Sequence, residues 1–215
     1  MKILFVGAHY DDIELSVGGT IAKFIQQGHE VYIIIVSKSD YTDYNNKILR
    51  SSEQAVNEGF TALKILGIPT ANIIPLYYPT KEVPFNKFLI EDINREIDNI
   101  KPDLIITHHY FSDSHQDHIN TAKAVLSASR YQKNIWFFET LYPAKLSIDP
   151  FKSLIYINIT DTFDKKLESI KAHTSQIKKY PEWIKYVTAL NTVRGIENQC
   201  MYAETFYPIK MEYLI

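Results

Sequence analysis

The chain alternates short runs of consecutive apolar residues with longer segments in which apolar residues recur every three or four positions. Continuous runs of this length are typical of strands buried on both faces of a parallel sheet. They lie at residues 1–6, 31–36, 104–107 and 135–138. Helical spacing is clearest at residues 47–66, where Gly67 and Pro69 follow, and at residues 85–100. The alternation predicts the α/β class, with a Rossmann-like, mainly parallel sheet and helices on both faces.

Weaker patterns complete this prediction. Residues 72–77 and 154–157 favour short strands, and residues 181–193 favour a helix. We expect Thr160 or Asp161 to cap a helix running towards His173. The remaining expectations are a surface loop at 37–46 and an extended tail at 206–214. No linker rich in Gly, Ser or Pro is present, so residues 1–215 are expected to form a single domain.

A polar cluster follows the first apolar run directly, where a strand passes into a helix at the carboxyl edge of the predicted sheet. It contains His9, Asp11 and Asp12. Burying an imidazole and two carboxylates is costly unless they hold something. His9 and Asp12 can bind one zinc ion, which leaves Asp11 free to accept a proton from a bound water. The alternative is that the two aspartates only cap the next helix.

A second cluster follows the run at residues 104–107 and contains His115, Asp117 and His118. The two histidines are three positions apart, which places them on one face once a helix begins. One can complete a metal's ligand set, and the other, if protonated, can donate to the oxyanion of a tetrahedral intermediate. Asp117 can orient one of them. The alternative is a polar helix start whose histidines face solvent.

In the common doubly wound strand order, the strands before these two clusters are neighbours, so the clusters would meet in one crevice. This convergence predicts a metal ion and an activated water. His108 and His109 can either lie near the site or be hydrogen-bonded structural histidines, and the second interpretation is favoured. Loop tyrosines can stack on a sugar ring or pack on the nearest surface; they are Tyr41, Tyr44, Tyr77 and Tyr78.

The chain resembles the PIG-L (LmbE-like) family of zinc-dependent N-deacetylases. Five segments carry the resemblance along most of the chain. In chain order they are Ala8-His9-Tyr10-Asp11-Asp12 with Gly18-Gly19-Thr20, Arg50-Ser51-Ser52-Glu53, His115-Gln116-Asp117-His118, Ala172-His173-Thr174-Ser175-Gln176, and Arg194-Gly195 with Tyr202-Ala203-Glu204-Thr205-Phe206.

The resemblance implies a Zn²⁺ cofactor, with Fe²⁺ as the alternative, and hydrolysis of the acetamide of an N-acetylated amino-sugar conjugate. It implies His9, Asp12 and His118 as metal ligands and Asp11 as the general base. It also implies His115 as the acid or oxyanion partner supported by Asp117, and Arg50 as a substrate-binding residue. The family usually has proline at the positions of Tyr10 and Gln116, and we expect Tyr10 to lie at the entrance and contact substrate.

The composition limits the classes of partner that the protein is expected to bind. A formal net charge of −2 gives no reason to expect nucleic acid, and no apolar stretch approaches the ~20 residues that span a bilayer. With one cysteine and no signal-peptide pattern, a cytoplasmic protein is expected, acting on a small-molecule N-acetyl sugar. A homo-oligomer stays open.

Two other functions also remain possible on these grounds. One is a nucleotide-binding Rossmann domain, although the glycine-rich turn that such a domain needs is missing after the first strand. The other is a non-catalytic protein that keeps the fold and binds a sugar.

Overall fold

A computed structural model describes residues 1–141 and 151–212 of the protein. Its strands are β1 (Lys2–Gly7), β2 (Glu30–Ser37), β3 (Tyr41–Thr42), β4 (Ile48–Arg50), β5 (Ile73–Tyr78), β6 (Leu104–His108), β7 (Ile135–Phe138), β8 (Ile155–Asn158) and β9 (Ala203–Lys210). Its α-helices are α1 (Asp12–Gln26), α2 (Ser52–Leu66), α3 (Lys87–Ile100), α4 (Gln116–Ala128), α5 (Phe163–Lys171), α6 (Thr174–Lys179) and α7 (Trp183–Glu197). Short 3₁₀ turns occupy Thr70–Asn72 and Thr160–Thr162.

Seven strands form one sheet in the order β5-β2-β1-β6-β7-β9-β8. The strands from β5 to β7 are parallel, whereas β9 runs antiparallel to both β7 and β8. The predicted α/β class with a mainly parallel sheet is therefore confirmed. The strand pair β1 and β6 lies side by side, as the doubly wound order requires.

Both faces of the sheet are covered, because successive side chains of a strand point to opposite faces. On β1, Phe5 packs in the cluster that contains Ile13 of α1 and Leu63 of α2. Its neighbour Val6 packs instead with residues of α3 and α4, among them Ile93. This alternation accounts for the continuous apolar run in the sequence, since both faces of the strand need apolar side chains.

The first helix is interrupted at Val17, whose backbone angles are φ −136° and ψ 16°. The next turn starts afresh, and the carboxylate of Glu204 on β9 satisfies two of its backbone N–H groups. Gly19 donates at 3.0 Å and Thr20 at 2.7 Å. The ammonium of Lys166 on α5 lies 2.6 Å from the same carboxylate, and both charged side chains are at most 1% exposed. This buried ion pair joins α1, α5 and β9.

Two of the predicted elements have different boundaries in the structure. Residues 47–66 were expected to be one helix, but Ile48–Arg50 forms strand β4 and α2 begins at Ser52. The hydroxyl of Ser51 accepts a hydrogen bond from the backbone N–H of Gln54, which starts the helix at this point. Strand β4 pairs with β3, so the expected loop at 37–46 contains one half of a short hairpin.

The remaining differences concern the last third of the chain. The expected cap at Thr160 or Asp161 is wrong, because these residues form a 3₁₀ turn and α5 begins only at Phe163. The extended tail begins earlier than expected, at Ala203, and residues 213–214 of that prediction lie outside the described residues. Among the residues described, no helix has the length and apolarity needed to cross a bilayer.

Candidate metal centre and its cavity

The two polar clusters meet at the carboxyl ends of β1 and β6. His9 and Asp12 follow β1 directly, and Asp12 is the first residue of α1. His115 caps α4 and His118 lies in its first turn, after the loop that leaves β6. Because the two strands are hydrogen-bonded neighbours, side chains that are about a hundred residues apart in sequence come into direct contact.

Three side chains converge on one point. The Nδ1 atom of His9 lies 3.2 Å from Nε2 of His118 and 3.5 Å from Oδ2 of Asp12. The other oxygen of Asp12, Oδ1, lies 3.2 Å from Nε2 of His118. Zinc binds such atoms at ~2.0–2.1 Å in a tetrahedron, which places neighbouring ligand atoms about 3.3 Å apart. The donor set and its spacing therefore fit a single divalent ion.

Each of these two histidines has a carboxylate on its other ring nitrogen. Asp117 accepts from Nε2 of His9 at 2.9 Å, and Asp113 accepts from Nδ1 of His118 at 2.8 Å. Both carboxylates are at most 1% exposed. Such partners fix the ring orientation and leave the opposite nitrogen available to a metal.

The pairing of Asp117 corrects one expectation. We expected Asp117 to support a histidine of its own cluster, but it contacts His9 across the crevice and accepts from the backbone N–H groups of Lys81 and Val83. Asp113, which was not predicted, serves His118 instead. Thr140 donates to the same oxygen of Asp113 and so holds it in place.

The electrostatics of the cluster favour bound positive charge. Burial alone would lower the pKa of His9 and of His118, but the facing carboxylates outweigh it and raise these pKa values to about 9 and about 10. Burial likewise opposes ionisation of Asp12, yet the three surrounding imidazoles hold its pKa well below the usual range. A metal binding here would displace protons from the two histidines.

Two further histidines, His108 and His115, border the same point, and Nε2 of His108 lies 3.2 Å from Oδ2 of Asp12. Nε2 of His108 accepts a hydrogen bond from the backbone N–H of Ala8 at 3.0 Å, and its ring stacks on that of His118. Nδ1 of His115 accepts from the backbone N–H of Asp117 at 3.2 Å. Burial, followed by the nearby His118, lowers the pKa of His115 to about 4, so its neutral ring carries the proton on Nε2.

Asp11 has the most unusual backbone in the site. Its φ of 128° is rare for a residue with a side chain, and its carboxylate makes no capping hydrogen bond to α1. The side chain borders the cavity and lies 3.3 Å from Nη1 of Arg50. Burial raises the pKa of Asp11 to about 6, although the guanidinium of Arg50 acts in the opposite direction. The interpretation of Asp11 as a mere helix cap does not fit this geometry.

Arg50 is held on several sides by the protein itself. Nη1 also donates to the carbonyl of Tyr10, and Nη2 donates to Glu58 and to Nδ1 of His173. The side chain is 2% exposed. It borders the cavity, so its expected contact with substrate stays a prediction, but its evident structural role is to hold Asp11. On α2 its carboxylate partner is Glu58, whereas Glu53 of the quoted motif is solvent-exposed.

Tyr10 is not among the residues that line the cavity, so its position gives no support to the expected contact with substrate. Its ring is fully buried in the main core and packs against Phe60 of α2. Space for the ring exists because residue 59 is glycine: a Cβ there would lie 2.1 Å from the Tyr10 ring. The other replaced proline position, Gln116, is the first residue of α4, and its amide donates to the carbonyl of Lys81 at 2.8 Å.

The convergent side chains form the floor of a cavity of about 630 Å³. One outer wall comes from the β3–β4 hairpin, with Tyr41, Tyr44 and Leu49. Another part of the lining comes from α6, α7 and the residues between them, where the ring centres of Tyr180 and Trp183 lie 5.0 Å apart in a stacked arrangement. Tyr77 and Tyr78 do not line this cavity, and His109 is enclosed by aromatic side chains such as Phe137 and Tyr207.

Known proteins that are similar to this chain show its family. A family model described as PIG-L, GlcNAc-PI de-N-acetylase, matches residues 4–129, more than half of the chain. The chain belongs to the PIG-L family. A relative from Escherichia coli strain K12, the uncharacterized deacetylase YaiS, is 32% identical over 181 residues, which cover 80% of this chain and 90% of YaiS. The predicted family and the predicted enzyme class, an amide hydrolase of the deacetylase type, are confirmed.

Solved structures share the fold at lower identity. The N,N'-diacetylchitobiose deacetylase from Pyrococcus horikoshii has a TM-score of 0.82 and 21% identity, covering 97% of this chain and 84% of its own. GalB, the 4-carboxy-2-hydroxymuconate hydratase from Pseudomonas putida KT2440, also has a TM-score of 0.82, with 18% identity and coverage of 100% and 98%. Because a hydratase shares the PIG-L fold, the fold alone does not determine the reaction.

Proposed function

We propose that the protein is a zinc-dependent N-deacetylase that hydrolyses the acetamide of an N-acetylated amino-sugar conjugate, releasing acetate and a free amine. The observation that carries the proposal is the convergence of His9, Asp12 and His118 at the floor of a cavity that Asp11 also borders. The family membership supports the deacetylase reaction. Zinc and the amino-sugar substrate are the parts that the proposal adds.

His9, Asp12 and His118 would hold the metal, with Asp117 and Asp113 orienting the two imidazoles. The bound ion would polarise the acetamide carbonyl and lower the pKa of a water molecule at the same centre. Two histidines and one carboxylate also suit Fe²⁺, so ferrous iron is the alternative metal.

Asp11 is proposed as the general base. Its carboxylate borders the cavity beside the ligand set, and the strained backbone together with Arg50 keeps it from turning into the helix. In this position it can take a proton from the attacking water and later pass a proton to the departing amine.

His115 is proposed as the donor to the oxyanion. Its Nδ1 accepts the backbone N–H of Asp117, so the neutral ring presents Nε2–H as a hydrogen-bond donor. On sequence grounds this donation was considered for a protonated imidazole, and a neutral one can also stabilise developing negative charge. Asp117 contributes to the metal centre by orienting the imidazole of His9.

The size and lining of the cavity support a conjugate rather than acetamide alone. Its volume of about 630 Å³ lies within the ~300–1,000 Å³ of pockets that take drug-sized ligands. The deacetylase from Pyrococcus horikoshii acts on diacetylchitobiose, an N-acetylated amino sugar, which supports the same class of substrate here.

The test measures metal content and amine release together. Protein loaded with Zn²⁺ or Fe²⁺ is incubated with N-acetylglucosamine and its glycosides, and new primary amine is detected with fluorescamine. We expect one bound ion per chain and amine formation that is lost in His118→Ala together with the metal. His29→Ala, in the turn before β2, is the matched control and should keep both.

Two results would contradict the proposal. A stoichiometric metal with no amine from any N-acetyl sugar would favour a non-catalytic sugar-binding protein. Amine release that persists in His118→Ala without bound metal would show that the metal takes no part in the reaction.

A further inference from the structure

We propose that the outer half of the cavity is a subsite for an anionic group on the carrier portion of the substrate, and that Lys179 binds it. This inference rests on the proposed deacetylase function and adds the charge of the substrate to it. A phosphate or a carboxylate on the conjugate would satisfy the same site.

The cavity divides into two chemically different halves. The floor is occupied by the proposed metal ligands and Asp11, which suits the acetamide group. The outer half is lined by the hairpin and by α6 and α7, and its aromatic rings cannot take part in hydrolysis. A substrate that reaches the floor must therefore place its remaining atoms, the carrier, against this outer half.

Lys179, the last residue of α6, lies on this outer wall in a defined position. Its Nζ atom is 3.9 Å from the centre of the Tyr41 ring and 4.8 Å from the centre of the Tyr180 ring. Tyr41 is held in turn by its hydroxyl, which accepts from the amide of Gln176 at 3.2 Å. Two aromatic rings thus hold the ammonium from the hairpin side and from the helix side.

This charge has no acidic partner in the part of the chain that the structure describes. Within 4.0 Å no carboxylate of residues 1–141 or 151–212 pairs with Lys179. Of the acids that line the cavity, Asp11 pairs with Arg50 and Asp12 lies among the histidines. Asp43 accepts two backbone N–H groups of its own hairpin and has no cationic partner among the described residues. Burial would lower the pKa of Lys179, but the neighbouring tyrosines raise it, so the group is charged.

An ammonium that is already positioned loses little side-chain freedom when a ligand binds, so its charge is available for recognition at a low entropic cost. Lys81, the other lysine of the lining, also has no acidic partner among the described residues, and it lies in the loop whose backbone contacts Asp117 and Gln116. Lys179 is therefore the cation suited to the distal end of a conjugate.

The test compares three substrates with the zinc-loaded protein: N-acetylglucosamine, its 1-phosphate and its 6-phosphate. We expect kcat/KM for at least one phosphate to exceed that of the neutral sugar by about fivefold, the effect of one exposed ion pair. Lys179→Met should abolish this preference through a higher KM while leaving kcat/KM for the neutral sugar unchanged. Lys179→Arg should restore it, since Arg also stacks on tyrosine.

Lys178→Met is the matched control, because it removes the same charge from the neighbouring residue, which does not line the cavity. The preference should persist in this variant and weaken as salt is added. Three results would overturn the inference: no preference for either phosphate, a preference that survives Lys179→Met because the metal or Lys81 binds the phosphate, or an equal loss on all three substrates, which would indicate a purely structural contact.

A binding measurement separates this inference from the proposed function. Calorimetry with the zinc-loaded protein gives the affinity of each sugar and of each phosphate directly. A Lys179-dependent preference in binding without any amine release would keep the subsite and reject the deacetylase. Amine release at equal rates from all three substrates would keep the deacetylase and reject the subsite.

Discussion

Two groups of buried charges lie at opposite ends of the first segment of α1. At its start, Asp11 and Asp12 face the cavity with their histidine and arginine partners. At its break at Val17, Lys166 and Glu204 form an ion pair in which both side chains are at most 1% exposed. Neither residue lines the cavity. Both groups lie in or contact segments that resemble PIG-L motifs.

The comparison shows that buried charge by itself does not identify a site of chemistry. The pair at the break is geometrically complete: Glu204 receives two backbone N–H groups and one ammonium, and nothing further is needed. In the group at the start, ring nitrogens and carboxylate oxygens from three side chains converge on one point, and the group opens onto a cavity. Variants that alter one group and spare the other test this distinction.

The largest effect is expected for Asp11→Asn. The amide cannot accept a proton from water, so kcat should fall by about 10²–10⁴-fold. Zinc content should stay at the wild-type level, because Asp11 is not among the proposed ligands. Steady-state rates with N-acetylglucosamine and metal analysis of the purified variant measure both. Wild-type acetate release would show that the assigned role is wrong.

Lys166→Met should affect stability and spare the metal. Removing one member of a buried pair leaves the carboxylate of Glu204 uncompensated, so the free energy of unfolding should drop by about 3–5 kcal/mol. Urea denaturation measures this, with Lys171→Met on the exposed side of α5 as the control. A decrease of less than about 1 kcal/mol in the free energy of unfolding, or loss of zinc from the folded variant, would contradict the distinction between the two groups of buried charges.

Asp113→Asn should weaken metal binding without abolishing the fold. The imidazole of His118 loses the carboxylate that fixes its orientation, and such partners typically contribute 10–100-fold to metal affinity. Competition with a zinc chelator measures the change, and Asp161→Asn, at an exposed position, serves as the control. An unchanged zinc affinity would mean that Asp113 only orders its loop.

The smallest effect is expected for Tyr10→Phe. The hydroxyl of Tyr10 is buried and has no hydrogen-bond partner among the described residues. Its removal should leave the free energy of unfolding within about 0.5 kcal/mol or raise it, since an unpaired buried oxygen is unfavourable. KM should not change. A severalfold increase in KM at unchanged stability would support the expected contact of Tyr10 with substrate.

The floor of the cavity was predictable from sequence for a physical reason. Strands buried on both faces require continuous apolar runs, so His9 and His118 stand out at the points where the runs at 1–6 and 104–107 give way to polar residues. The topology of parallel sheets then brings the two points together. Zinc as the ion and the division of roles among these side chains stay proposals.

The partners of these side chains could not be predicted. Asp113 and Glu58 look like ordinary polar positions in sequence, and only the packing of separate elements places them beside His118 and Arg50. Tyr10 was misplaced because the space that it fills is created by Gly59 on another helix. The β3–β4 hairpin was not predicted because its strands are only two and three residues long: β3 fell in the expected loop at 37–46, and β4 fell in the helix expected at 47–66.

Arg50 is at once the final residue of β4 and the partner of Asp11. Residues 41–49 can therefore be grafted from one PIG-L protein onto another as a cassette, with the join placed before Arg50. Selectivity that depends on Tyr41, Tyr44 and Leu49 should travel with the graft, while Lys179 and the hydrolytic machinery stay behind.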